Sequence, residues 1–229
     1  MVLQCKSYKM KTNAELQTDV QDAIKREPLL HAAEIGVTVQ DGIVSLTGIV
    51  DTYAKKLEAE SATKKVAGVK AVVEEIEVRV PTIWNKSDKE IAVEVLAGLK
   101  ANLIVPHDKV TIKVENGWVT LEGELSWNYQ SDAARYAATY LSGVKGVSNN
   151  IKIKSESTDK IEQRDVENAL ARSWSLNSSK IHVKVEGTKV ILTGTVHSWY
   201  QKTEAGHIAW KTPGIWMVEN NIEVDYYFI

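Results

Sequence analysis

Cysteine is nearly absent from this chain of 229 residues. Cys5 stands alone, and one thiol makes neither an internal disulfide nor, by itself, a zinc or redox site. Long apolar runs are missing too: no stretch of eighteen apolar residues occurs, so the sequence offers no membrane-spanning helix. Neither sign of charge dominates. The 28 Lys and Arg face 30 Asp and Glu, a formal net charge of −2, which gives no electrostatic basis for binding nucleic acid. What is present is 44% apolar and 25% charged residues, the balance of a chain that packs cores rather than one that stays disordered.

The N-terminus lacks the pieces of an export signal, which needs a basic start, an apolar stretch of about 7–15 residues and a small-residue cleavage site. Residues 1–11 read MVLQCKSYKMK, with Val2 and Leu3 the sole apolar pair. Leu3-Gln4-Cys5 faintly resembles a lipoprotein cysteine, yet no apolar stretch precedes it and Gln4 is not small. The expectation is a basic N-terminal tail over 1–11, with Met10 an alternative start, on a cytoplasmic protein.

Glycine supplies the organising signal. Gly48, Gly123 and Gly194 each follow a strand-like run, at spacings of 75 and 71, and Gly68, Gly143 and Gly214 repeat those spacings before Val69, Val144 and Ile215. The same offsets align Val20, Val95 and Val166, then Ile24, Leu99 and Leu170, then Val44, Val119 and Val190, and finally Ile76, Ile151 and Ile222. Two glycine series and several apolar series in one register identify a triplication.

Each unit opens on a helix. Thr12, Ser87 and Thr158 occupy the N-cap position, where a side-chain oxygen accepts an orphaned backbone N–H. Glu15 and Glu90, three residues on, complete a capping box; the third unit has Ile161 there and Glu162 one place late. A hairpin follows, in which Val37 and Val39, then Val44 and Leu46, alternate with polar residues, so one sheet face meets the core. Asp41-Gly42 and Asn116-Gly117 suit type I′ turns, and Gly187-Thr188 a type II′ or longer turn. A second helix is expected over 51–67, 126–142 and 197–213, with Ala59, Ala134 and Ala205 facing the sheet and Pro213 ending the third copy. A last strand then completes a right-handed crossover. The fold class is therefore α+β: three tandem αββαβ units, each a three-stranded mixed sheet with two helices on one face. The units span 12–80, 87–154 and 158–229, with linkers at 81–86 and 155–157. A unit of about 70 residues sits near the low end of what one core supports, so the units are expected to pack on one another through open sheet faces or helix ends.

The repeat resembles the BON domain, named for bacterial OsmY and nodulation proteins. The shared pattern is a Val-x-Leu-x-Gly hairpin end, a helix, Gly-Val, and a closing strand. It reads here as Val44-Ser45-Leu46-Thr47-Gly48 with Gly68-Val69 and Glu75-Ile76. The second copy has Val119-Thr120-Leu121-Glu122-Gly123 with Gly143-Val144 and Asn150-Ile151. The third has Val190-Ile191-Leu192-Thr193-Gly194 with Gly214-Ile215 and Asn221-Ile222. The resemblance covers about residues 12–227. It implies the αββαβ fold, a stress-related role, and binding of phospholipid or association with membranes, with the periplasm as the alternative compartment. The family pattern carries no catalytic residues.

An enzyme is not expected, and neither is a cofactor or a metal. His31, His107, His182, His197 and His207 fall at unrelated repeat positions without metal-ligand spacing. Neither a nucleophile elbow nor a phosphate-binding glycine loop is present. The aromatics carry more information. Trp118 falls on the predicted polar sheet face, while Trp127 with Tyr129 and Trp199 with Tyr200 cluster at second-helix starts. Rings with one wet end suit a membrane interface or a partner surface; the alternative is that they staple helix starts and fill joints between units. Candidate partners are a phospholipid surface, another protein, or a second copy in a homo-oligomer. Small-ligand binding between units is a third reading, without a polar constellation in the sequence to mark it. Charge gives anionic lipid little support. Residues 12–80 carry 8 basic and 12 acidic side chains, 81–157 carry 9 and 9, and 158–229 carry 8 and 9. Lys6, Lys9 and Lys11 are the one local basic excess, and Lys55-Lys56 and Lys64-Lys65 read as a solvated helix face.

Overall fold

The computed structural model describes residues 11–154, 163–173, 176, 180–212, 214–215 and 217–225. Cys5, Met10, most of the tail, Thr158, Ile161, Glu162, Pro213 and the linker 155–157 lie outside the described residues.

Unit 1 runs α1 (Asn13–Arg26), β1 (Ile35–Gln40), β2 (Ile43–Val50), α2 (Tyr53–Lys64) and β3 (Ala71–Val78). Unit 2 repeats this as α3 (Asp88–Ala101), β4 (Val110–Glu115), β5 (Trp118–Leu125), α4 (Asn128–Thr139) and β6 (Gly146–Ile153). Unit 3 does so as α5 (Gln163–Ala171), β7 (Ile181–Glu186), β8 (Lys189–Val196), α6 (Trp199–Trp210) and β9 (Met217–Val224). In every unit the middle strand pairs antiparallel with the first and parallel with the last. The second helices are shorter at both ends than the sequence pattern predicts. A single turn of 3-10 helix precedes β1 and β4, at Ala32–Glu34 and His107–Lys109.

The first glycine series is a close-approach device. Gly48, Gly123 and Gly194 have φ of 135°, 145° and 120°, a region that L side chains avoid. A Cβ at Gly123 would overlap the carbonyl oxygen of Lys109, and the other two would meet Glu34 and Lys180 in the same way. The turns follow their chemistry. Asp41-Gly42 and Asn116-Gly117 both have positive φ at each position, whereas in the two-residue loop of unit 3 Gly187 alone does, as types I′ and II′ respectively require. Both predicted capping boxes form, Thr12 with Glu15 and Ser87 with Glu90. The hydrogen bonds from Ser87 hold the Glu90 carboxyl below the usual carboxylate range. The first helix is also fastened to the hairpin. Asp88 accepts from the Asn116 and Gly117 N–H groups at 2.8 Å, and Asn13 accepts from the Asp41 N–H at 2.9 Å.

Each unit has its own core. Leu46, Leu121 and Leu192, at equivalent positions, are all 0% exposed and belong to three separate apolar clusters. A polar bridge ties the second helix to the last strand in each. Asn149 donates to the Ser131 hydroxyl at 2.8 Å, Asn220 donates to the Lys202 carbonyl at 2.6 Å, and Glu74 pairs with Lys56. Each of these strand residues also accepts from the N–H two positions on, at Ile76, Ile151 or Ile222. The polar residue of the closing strand that matters is therefore two places before the isoleucine, not adjacent to it.

The units join through their second helices. Helix α2 contacts α6, Lys64 lies over the Trp199 ring at 4.9 Å and Lys65 over Tyr200 at 5.9 Å, and Tyr53 of unit 1 packs against the core of unit 2. Helix ends thus make the joints, as expected, but among the described residues the sheet faces do not supply them: Ile43, Ile49 and Trp118 on those faces remain exposed. The cause is the polar alternation itself, which leaves the sheet faces rich in Thr, Lys and Glu while the second helices present tyrosine, tryptophan and alkyl stems.

Candidate functional site

The structure separates the five aromatic candidates by position. Trp118 begins β5 on the open sheet face and is 49% exposed. Its ring lies against Gly146, its register partner, where any Cβ would collide with it, and its indole N–H donates to the Ser148 hydroxyl at 2.8 Å. Trp127 is the N-cap of α4, half-buried, with its backbone N–H donating to the Gln130 side chain. It stacks on Tyr129, with centroids 6.3 Å apart, and Tyr129 is exposed. Trp199 and Tyr200 open α6 and are half-buried at the joint with unit 1. The two aromatic pairs are not repeat equivalents, because Trp127 aligns with Thr52 and Ser198 at the cap and Trp199 with Tyr53 and Asn128 in the helix.

Two places gather chemistry. The first is the hairpin end of unit 2. Ile83 and exposed Trp84 precede α3, whose first residue Asp88 grips the Asn116-Gly117 turn. Trp118 leaves that turn, and the Lys145 N–H donates to the Gly117 carbonyl at 2.9 Å. Lys89 stands on the first turn of α3. The side chains of Lys89 and Lys145 are exposed and make no ion pair among the described residues. Trp118 and two lysines without ion pairs among the described residues therefore flank one turn, a neighbourhood that linear charge counting does not register.

The second is a cleft of about 320 Å³ between α2, α4 and α6. Ser61, Tyr136 and His207, one from each helix, occupy the same repeat position and all line it. Tyr140 and Tyr200 add rings, and Glu58, Glu60 and Glu204 add carboxylates. The cations beside them are mostly engaged: Lys64 bonds Glu60 at 2.5 Å, Lys65 lies 3.8 Å from Glu58, and Arg135 lies 4.6 Å over Tyr136 and 3.9 Å from Asp132. Glu204 has no ion pair or hydrogen bond among the described residues. This is the polar constellation between units that the sequence did not reveal. Its signal was the position that changes from Ser61 to Tyr136 to His207 on otherwise equivalent helices. Among the described residues no group of three His, Cys, Asp or Glu is placed to hold a metal ion, and no helix is long and apolar enough to cross a membrane.

The chain is 30% identical over 146 residues to the osmotically-inducible protein Y of Escherichia coli strain K12, an alignment covering 62% of this chain and 73% of that protein. Among solved structures it aligns with CdsD, a structural protein of the type III secretion system of Chlamydia trachomatis, at 18% identity and a TM-score of 0.25, over 91% of each chain. The C-terminal domain of CdsD aligns at the same identity and TM-score, over 94% of this chain and 100% of that one. The BON domain model matches residues 12–80, 87–155 and 158–226, in step with the glycine series, the turns and the three cores, and the chain belongs to the BON domain family as a tandem of three copies.

Proposed function

We propose that this chain is a non-enzymatic, osmotic-stress-related binding protein that touches a phospholipid surface peripherally, through the hairpin end of unit 2. Its likeness to an osmotically inducible protein supports the stress role. The observation that carries the contact is the exposed Trp118 leaving a turn that Lys89 and Lys145 flank, with Ile83 and Trp84 exposed in the segment before α3. Trp rings prefer the headgroup level, where the apolar body sinks and the N–H stays wet. Lysines near an anionic leaflet contribute about 1 kcal/mol each. Trp118 is fixed flat by Ser148 and Gly146, so little side-chain freedom is lost on contact. Trp199 and Tyr200, engaged by Lys64 and Lys65, serve the joint in this reading, and Trp127 braces the start of α4.

Vesicle co-sedimentation tests it. The chain is expected to pellet with phosphatidylglycerol-containing vesicles at low salt, and Lys89→Gln with Lys145→Gln should weaken that binding about tenfold or more. Absence of pelleting with both anionic and zwitterionic vesicles would remove the lipid reading.

A protein-interaction reading has its own observation. Val93 and Leu96 stand exposed on α3, where units 1 and 3 carry Thr18, Gln21, Arg164 and Glu167. An apolar helix stripe on one copy alone fits self-association or a helical partner. Light scattering is expected to show a dimer that Leu96→Glu returns to monomer; a monomer at every concentration argues against self-association.

A further inference from the structure

We infer that the cleft between α2, α4 and α6 binds a small organic cation bearing an ammonium group. The space, about 320 Å³, is within the range of small-molecule sites. Its walls combine aromatic faces with a carboxylate in need of a counter-charge, the combination that attracts ammonium groups through ring quadrupoles and Coulomb attraction. The protein already uses these rings in this way, with Lys65 at Tyr200 and Arg135 over Tyr136. Tyr140, 66% exposed and stacked on Tyr136 at 6.4 Å, has no such cation over it among the described residues. Glu204, half-buried and lining the same space, is the acid whose charge no residue takes up among those described.

An ammonium seated against Tyr140 would find Glu204 and the hydroxyl of Ser61 in the same cleft. Three different units supply those groups, so the site exists only when the joints are closed. Occupancy would therefore favour the closed arrangement of the second helices. This cleft and the hairpin end of unit 2 involve different residues, and the inference stands independently of lipid contact.

The test is a titration of the full chain with choline chloride, against sodium chloride at matched ionic strength, followed by amide NMR shifts. Saturable shifts are expected at Ser61, Tyr136, Tyr140 and Glu204 that sodium does not produce. Glu204→Gln and Tyr140→Ala should each raise the apparent Kd at least fivefold while leaving the spectrum of the three cores intact; Lys113→Gln, on the open sheet face, should not. Competition by phosphatidylcholine vesicles would assign the ammonium to a lipid headgroup, and its absence would assign it to a free solute; either supports the site. Shifts that fail to saturate, that sodium reproduces, or that survive in both cleft variants would overturn it.

Discussion

Gly123→Ala is expected to destabilise the protein by about 3 kcal/mol or more, from backbone strain added to a steric clash. The residue has φ of 145°, and the new Cβ would be driven into the carbonyl oxygen of Lys109. That oxygen belongs to the backbone entering β4, the strand paired with Gly123 through Val110, so it retreats only if the sheet edge opens. Gly187→Ala is the matched comparison. There φ is 63° and nothing lies within 4 Å of the added Cβ, leaving about 1–2 kcal/mol of left-handed backbone cost. Urea unfolding of both variants reads the difference. Equal shifts in midpoint would mean that conformation alone, and not the approach to Lys109, fixes this glycine.

Leu121→Ala should cost about 2–5 kcal/mol, the transfer term plus the cavity left behind. Leu121, on β5, is 0% exposed in the unit 2 core, in one cluster with Val95 and Leu99 of α3 and Ala134 and Ala138 of α4. Leu103→Ala removes the same atoms from a side chain that is 100% exposed and should move stability by no more than about 0.5 kcal/mol. The chain is not expected to lose all structure at once in Leu121→Ala, since Leu46 and Leu192 lie in other clusters.

What the sequence made legible is local or repeated. A turn type follows from two residues, a capping box from a spacing of three, and a core position from one offset applied to valines and leucines. The glycines of the first series were legible as a pattern, although the reason for them, a carbonyl oxygen of the residue just before the neighbouring strand, emerges only once the strands pair. The joints were not legible. Lys64 meets Trp199 across two units, and neither helical nor strand periodicity reports a contact of that sequence separation. The cleft was missed for the same cause: Glu58, Arg135 and Glu204 are ordinary charges on three separate helices until the helices meet. Lys89 and Lys145 were likewise invisible to a count along the chain, because a hairpin turn brings them to one end of the unit. The aromatic pairs show the opposite error. Trp127 and Trp199 look alike by neighbourhood, yet one caps a helix and the other lies inside one.

One chain folds three cores, one to each unit, held together by their second helices. Native-state hydrogen exchange on Leu121→Ala tests it most directly. Amides of β4, β5, β6, α3 and α4 should lose protection by the full cost of the substitution, while those of β2 and β8 keep the protection of the unsubstituted protein. Loss of protection spread evenly over all three sheets would show a single cooperative core and contradict the account.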